Sequence, residues 1–193
     1  NPIEVLARIE NVCLSSVVEE NYNNQNLEEL TQHIVEKHHE FVRRTAPVIT
    51  AHLNKVARVH GQNHPEVVSV AHLFEKIKTD LEDHLIKEEL VLFPYIRSLA
   101  ADGTPPHHYP FNSVAMPVRN MMTEHEMAGE DMEEIRLLTG NYVPPEDACT
   151  TYRIAYKELE EFEADLHKHV HLENNILFPR AVELEKQYIE SGR

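Results

Sequence analysis

One pattern constrains this chain more than any other, because it occurs twice. Asp80-Leu81-x-x-His84-x-x-x-Glu88 runs on to Leu92-Phe93-Pro94, and Asp165-Leu166-x-x-His169-x-x-x-Glu173 runs on to Leu177-Phe178-Pro179. Positions four apart in an α-helix lie one above the other on one face, so each copy offers an imidazole and a carboxylate to the same point. Two such points facing each other across a helical bundle form a holder for a pair of metal ions.

The rest of the sequence is what such a bundle needs. A length of 193 residues suits one domain with a real core. Glycine is scarce, at 5, and Glu, Lys, Leu and Ala fill long stretches, which favours helix over sheet. A net charge of −15 argues against nucleic acid or an anionic membrane surface as partner, since either would be repelled. No apolar run approaches the ~18 residues of a membrane span, and no stretch reads as a signal peptide. Cys13 and Cys149 form no metal or redox motif, and a reducing cytoplasm is the expected compartment. The unusual number is 14 histidines.

A short amphipathic helix is expected within residues 3–20, followed by the polar break Tyr22 to Asn26. The first long helix runs from about Leu27 to His60, with Pro47 as a kink and Gly61 as its C-terminal cap. Pro65 opens a second helix that reaches about Ala101. Residues 104–112, with three prolines, form a loop. A third helix spans about Ser113 to Thr139 and is capped by Gly140, and a fourth runs from about Glu146 to Tyr188. The fold class is therefore all-α, an up-down-up-down four-helix bundle over residues 27–189 behind a short N-terminal segment over 1–26.

Steps of three and four pick out one stripe per helix. These are Val35, His39, Val42, Ala46, Ile49; Ile77, Leu81, His84, Glu88, Val91, Tyr95; Val118, Met121, His125, Ala128, Met132; and Leu159, Phe162, Leu166, His169, Glu173, Ile176. Each stripe is apolar except at one level, where every helix places a histidine. Burying these groups without partners would cost roughly 2–7 kcal/mol per group; a shared metal removes that cost. Heights agree in the first hairpin, where His39 and His84 each lie about 30 Å from the turn at Gly61. In the second, His125 lies closer to Gly140 than His169 does to Pro145. The fourth helix must then start late, near Thr150-Thr151, or the loop must fold back.

The candidate metal ligands are His39, His84, Glu88, His125, His169 and Glu173. His38 is the alternative to His39, but the register through Val35 and Val42 favours His39. His60 shares the stripe about 31 Å away and reads as a cap or core residue. His33, His52, His64, His72, His107 and His108 read as surface, as do His167 and His171. Met121 and Met132 are packing residues that could line a small-ligand pocket. Glu124 either lines an access path or is solvated. Asp80 and Asp165, one turn before a ligand histidine, are equally well outer acceptors or surface charges. Bridging by both carboxylates gives each metal two imidazoles and two oxygens. An oxide or hydroxide bridge makes five ligands and leaves one position open. Imidazole suits Fe, Zn and Cu, while carboxylate bridges suit Fe and Mn, so the mixture favours two iron ions. The order His-x-x-x-Glu departs from the Glu-x-x-His of ferritin-like bundles.

These motifs resemble the hemerythrin-like (HHE cation-binding) family, and within it the di-iron proteins called repair of iron centres. The resemblance rests on His38-His39 with Ala46-Pro47, Val59-His60-Gly61, His84-x-x-x-Glu88-Glu89 with Leu92-Phe93-Pro94, and Glu124-His125-Glu126-x-Ala128-Gly129. It extends through Pro144-Pro145-x-x-Ala148-Cys149-Thr150-Thr151 to His169-x-x-x-Glu173-Asn174-Asn175 with Leu177-Phe178-Pro179-Arg180-Ala181. It implies a non-haem di-iron centre and a role in repairing iron–sulfur clusters damaged by nitric oxide or oxidants. That role would work by iron donation or by nitric oxide chemistry, including a nitric oxide reductase-like redox activity. The implied partners are nitric oxide, oxygen or peroxide, and damaged iron–sulfur proteins as iron acceptors. Reversible oxygen, nitric oxide or iron binding without turnover is the alternative. The family carries an N-terminal domain with a Cys-Cys pair, absent from these 193 residues. Asn1 to Glu10 resembles that domain's last helix, so the chain is expected to be a fragment.

Overall fold

The computed structural model describes residues 22–102 and 109–190. The helix expected within 3–20 and the start of the 104–112 loop lie outside them. Four long helical rods account for most of the described residues, and each but the third contains one wider, π-helical turn. α1 consists of Leu27–Ile34, the π turn Val35–His39 and Glu40–His60. α2 consists of Glu66–Lys87, the π turn Glu88–Leu92 and Phe93–Asp102. α3 is Ala115–Leu138, and α4 consists of Thr150–Leu172, the π turn Glu173–Leu177 and Phe178–Glu190. α1 packs between α2 and α4, and α3 packs against α2.

Local chemistry explains the boundaries. Asn26 opens α1 by accepting the Glu29 N–H at 2.7 Å through its side-chain oxygen, satisfying one of the four unpaired donors of a helix start. Pro47 lies inside the uninterrupted stretch Glu40–His60. Gly61 does end α1, but not as a left-handed cap: its φ is −60°. A Cβ there would fall 2.3 Å from the Ala57 carbonyl oxygen and 2.8 Å from Val68 Cγ2, so the turn requires glycine for space. Left-handed backbone appears instead at Gly140, Asn141 and Tyr142, with φ of 58°, 60° and 60°. For Tyr142 this conformation costs of order 1 kcal/mol. Its buried ring, an O–H donated to Glu163 at 3.0 Å and an N–H donated to Thr139 Oγ1 at 3.1 Å hold it there. That turn, followed by Pro144-Pro145, delays α4 until Thr150 rather than Glu146. The delay resolves the height mismatch of the second hairpin.

The π turns shift the apolar stripes. Val35 and Val91, expected inside, are only half-buried, whereas Ile34 and Leu92 are buried. A π turn takes up an extra residue and rotates everything beyond it. Pro94 and Pro179 supply a cause. A proline ring crowds the carbonyl four residues back, and in both helices that carbonyl, of Leu90 or Asn175, lies within the widened turn.

The core is split in two. One cluster, including Val42, Ile49, Leu53, Phe74, Ile77, Leu159, Phe162 and Leu166, fills the end nearer Gly61. The other, including Leu30, Ile34, Leu92, Phe93, Val118, Ile176, Leu177 and Phe178, fills the opposite end. Between them lies the histidine level. The repeated Leu-Phe-Pro borders it twice: Phe93 of α2 stacks on His39 of α1 at 5.6 Å, and Phe178 of α4 stacks on His125 of α3 at 6.1 Å.

Glu185 closes the second core. It is 3% exposed and accepts from the Val114 N–H at 2.9 Å, the Ser113 hydroxyl at 2.6 Å and the Tyr95 hydroxyl. It thereby ties α4 and α2 to the start of α3, where a carboxylate is favoured. Glu185→Ala leaves these donors unsatisfied and is expected to destabilise the fold by about 3 kcal/mol in urea unfolding. A loss below about 0.5 kcal/mol would contradict that role.

Candidate metal centre

The spacing His84-x-x-x-Glu88 lies on regular helix up to the point where the π turn begins, and so does His169-x-x-x-Glu173. His39 is the last residue of its own π turn, and His125 lies in mid-α3. All six side chains meet at one level, none more than 5% exposed. Nε2 of His39 lies 3.2 Å from Nε2 of His169, and Nε2 of His84 lies 3.0 Å from Nε2 of His125. Glu88 turns Oε2 toward His39 and Oε1 toward His84, each at 3.3 Å. Glu173 turns Oε1 toward His169 at 3.0 Å and Oε2 toward His125 at 3.2 Å. Two groups result, His39/Glu88/His169/Glu173 and His84/Glu88/His125/Glu173. Within each, the ligating atoms lie within 4.8 Å of one another.

The contacts inside the layer suit a cation and little else. Among the described residues, none gives any of the four carboxylate oxygens a well-directed hydrogen bond, although both glutamates are fully buried. Facing imidazole nitrogens 3.0–3.2 Å apart can share at most one proton. Two nitrogens and two oxygens converging on a buried point fit a metal ion that accepts imidazole and carboxylate together.

Outside the layer, three of the four rings are held at their second nitrogen. His39 Nδ1 lies 2.6 Å from Glu89, which also meets Arg43 at 2.8 Å. His84 Nδ1 lies 2.8 Å from Glu124, which also meets Lys87 at 2.6 Å. His125 Nδ1 lies 2.9 Å from the Asn174 side-chain oxygen. Such acceptors turn the other ring nitrogen, as a lone pair, toward the middle of the layer, the orientation a metal ligand needs. Sequence reasoning assigns this work to none of the three, although each directly adjoins a candidate ligand in the chain. Asp80 is exposed and pairs with Lys76 at 3.4 Å, and Asp165 meets His38, so neither accepts from a candidate ligand. Glu124 borders the bundle's access side, where a cavity of about 290 Å³ reaches His84 and His125. Met127 lines that cavity, while Met121 and Met132 are buried in the cores. His38 is buried beside the layer without entering it, and His60 stands far off among His64 and Tyr152.

Charge within the layer is strongly coupled. Burial alone would push the His39 imidazole down, but Glu173 and Glu88 overcome it and lift it to about 10. Against its burial, His84 is lifted to about 9, chiefly by Glu88. His125 is raised by Glu173, again against burial. Burial and the neighbouring Glu173 would raise Glu88, yet His84 and His39 hold it below its ordinary value. Burial would also raise Glu173, which His169, His125 and His39 hold well below.

Comparison with known proteins agrees with this geometry. Residues 30–181 match the family described as Hemerythrin HHE cation binding domain. A probable iron-sulfur cluster repair protein of Haemophilus influenzae is 39% identical over 154 residues, covering 80% of this chain and 65% of the relative. The iron-sulfur cluster repair protein YtfE of Musicola paradisiaca is 36% identical over 176 residues, 91% of this chain and 75% of the relative. That of Yersinia pseudotuberculosis is 35% identical over 164 residues, 84% and 69%. The chain thus spans about two thirds to three quarters of their lengths. No helix among the described residues is long and apolar enough to cross a membrane.

His39 and His84 hold protons at pH 7, because their values lie above it, whereas a metal requires them neutral. Binding of a divalent metal to the metal-free protein is therefore expected to release about two protons per chain and to tighten as pH rises from 7 toward 9. Calorimetry in buffers of different ionisation enthalpy measures this. Binding without proton release would contradict the charge assignment.

Proposed function

The chain belongs to the hemerythrin HHE cation-binding family, and on that premise we propose that it holds two iron ions and serves in the repair of damaged iron–sulfur clusters. One ion is held by His39 and His169, the other by His84 and His125. Glu88 and Glu173 bridge both, together with an oxide or hydroxide. The observation that carries this reading is the orientation of the two carboxylates, each with one oxygen toward each imidazole pair. The names of the relatives supply the biological direction. When bound, the iron pair supplies one-electron chemistry and an open position for nitric oxide, oxygen or peroxide.

The chain's own residues prepare the site for that work. Glu89, Glu124 and Asn174 fix the imidazole planes. Phe93 and Phe178 cover the layer from the side of the second core and shield it from solvent. The cavity beside His84 and His125 gives a small molecule, or an iron ion in transit, a way in from solvent. Damaged iron–sulfur proteins are the iron acceptors in this reading. The reducing cytoplasm, where ferrous iron and free thiols such as Cys149 persist, is its compartment.

Two assays test the reading. Iron-loaded protein is expected to restore an apo iron–sulfur protein in the presence of a chelator that defeats ferrous salt. Glu88→Leu and Glu173→Leu, binding iron at least about tenfold more weakly, should not. Sustained nitric oxide uptake with an electron donor would add turnover, while a single adduct would confine the centre to binding. Failure of both restoration and uptake would remove the repair function.

A further inference from the structure

The two halves of the bundle repeat each other closely enough for one of their differences to stand out. His39 corresponds to His125, His84 to His169, Glu88 to Glu173, Glu89 to Asn174 and Phe93 to Phe178. Each pair holds the same place in its hairpin. By the same correspondence the residue before His125, Glu124, answers to the residue before His39, which is His38. Glu124 reaches across the bundle to accept from His84 Nδ1. His38 reaches across to His169, the counterpart of His84, but does something else there.

The His38 ring lies flat against the His169 ring, with centroids 5.6 Å apart and planes 4° from parallel. Its own Nδ1 lies 3.1 Å from both carboxylate oxygens of Asp165, which stands one helical turn before His169 on α4. The His33 ring meets His38 edge-on at 6.1 Å, and Nε2 of His33 is within 3.1 Å of the Tyr22 hydroxyl. His38 is thereby clamped between α1 and α4 and is only 7% exposed. Nδ1 of His169 is buried, and among the described residues none accepts from it.

Resting on the reading that the six layer residues hold two metal ions, we propose that His38, held by Asp165, is a positioning residue for His169 that makes the two metal positions unequal. Stacking fixes the plane of the His169 ring, as an acceptor would. It does not draw on the Nδ1 proton, so it does not raise the basicity of Nε2. An acceptor at that nitrogen is worth about 10–100-fold in metal affinity. The His84/His125 position has acceptors on both rings, Glu124 and Asn174. The His39/His169 position has one, Glu89. The second position is therefore the weaker, and the ion there is the one the protein gives up at equilibrium.

Substitution of His38 separates these two contributions. In His38→Gln the side-chain oxygen can accept from His169 Nδ1 while its amide N–H donates to Asp165, giving this half an arrangement like that of Asn174. His38→Ala removes the stack and provides no acceptor. Asn174→Ala strips an acceptor from the other position and serves as the opposite control.

The test is an anaerobic titration of the metal-free protein with Co²⁺ against a competing chelator, followed by the visible absorption of bound cobalt. The wild-type chain is expected to bind two ions in steps about tenfold or more apart. His38→Gln should bring the steps together by tightening the weaker one, and His38→Ala should spread them. Asn174→Ala should weaken the tighter step. A purely structural role for His38 would predict no recovery by glutamine. Two ions bound with equal affinity, or a ratio unmoved by both His38 variants, would overturn the inference and leave the two-ion reading standing. One ion or none in the wild-type chain would overturn both.

Discussion

The fold depends on one buried layer, in which four imidazoles and two carboxylates face one another with their ligating atoms turned inward, away from solvent. Such a layer is unfavourable by itself, since a buried charge whose partner is missing costs roughly 3–5 kcal/mol. Without metal, the layer compensates by moving protons: His39, His84 and His125 are lifted and the two carboxylates depressed, so that opposite charges face each other. In the proposed two-ion state a pair of cations would perform the same compensation with the protons expelled, and metal binding, protonation and the stability of the bundle's middle would then be one equilibrium.

Everything around the layer makes that exchange reproducible. The apolar core is divided into two clusters, one on each side, which confines the polar groups to a single level. The two Leu-Phe-Pro segments set a phenylalanine against a layer histidine of the neighbouring helix, and their prolines closely follow the widened turns that begin at Glu88 and Glu173. A third widened turn ends at His39 and lets His38 and His39 both face inward. Helical irregularity is concentrated where the chemistry is, as is usual for π turns. The charged acceptors Glu89 and Glu124 are in turn paired with Arg43 and Lys87.

Much of this is legible in the sequence, for a definite reason. Intervals of four residues on a helix translate directly into shared direction, so spacing alone pairs His84 with Glu88 and His169 with Glu173. The stripes place His39 and His125 at the same level. Val35 and Val91 are misplaced by the same reasoning because a stripe drawn at 3.6 residues per turn assumes no π turn, although Pro94 and Pro179 are its sign. The start of α4 moves from Glu146 to Thr150 because three successive left-handed residues and two prolines use up chain that a simple turn would not. The mismatch in heights points the same way. Glu89, Glu124 and Asn174 are visible in the sequence only as neighbours of ligands. Their work is done across the bundle, on helices other than their own, and spacing along one helix carries no information about that.

Whether the layer is a two-ion site held together by Glu88 and Glu173 is decided by the metal content of protein purified anaerobically from iron-replete cells, read beside its visible spectrum. About two irons per chain are expected, with the charge-transfer bands of an oxygen-bridged pair, both lost together in Glu173→Leu. One iron per chain, zinc in place of iron, or an unchanged iron content in Glu173→Leu would contradict the two-ion site.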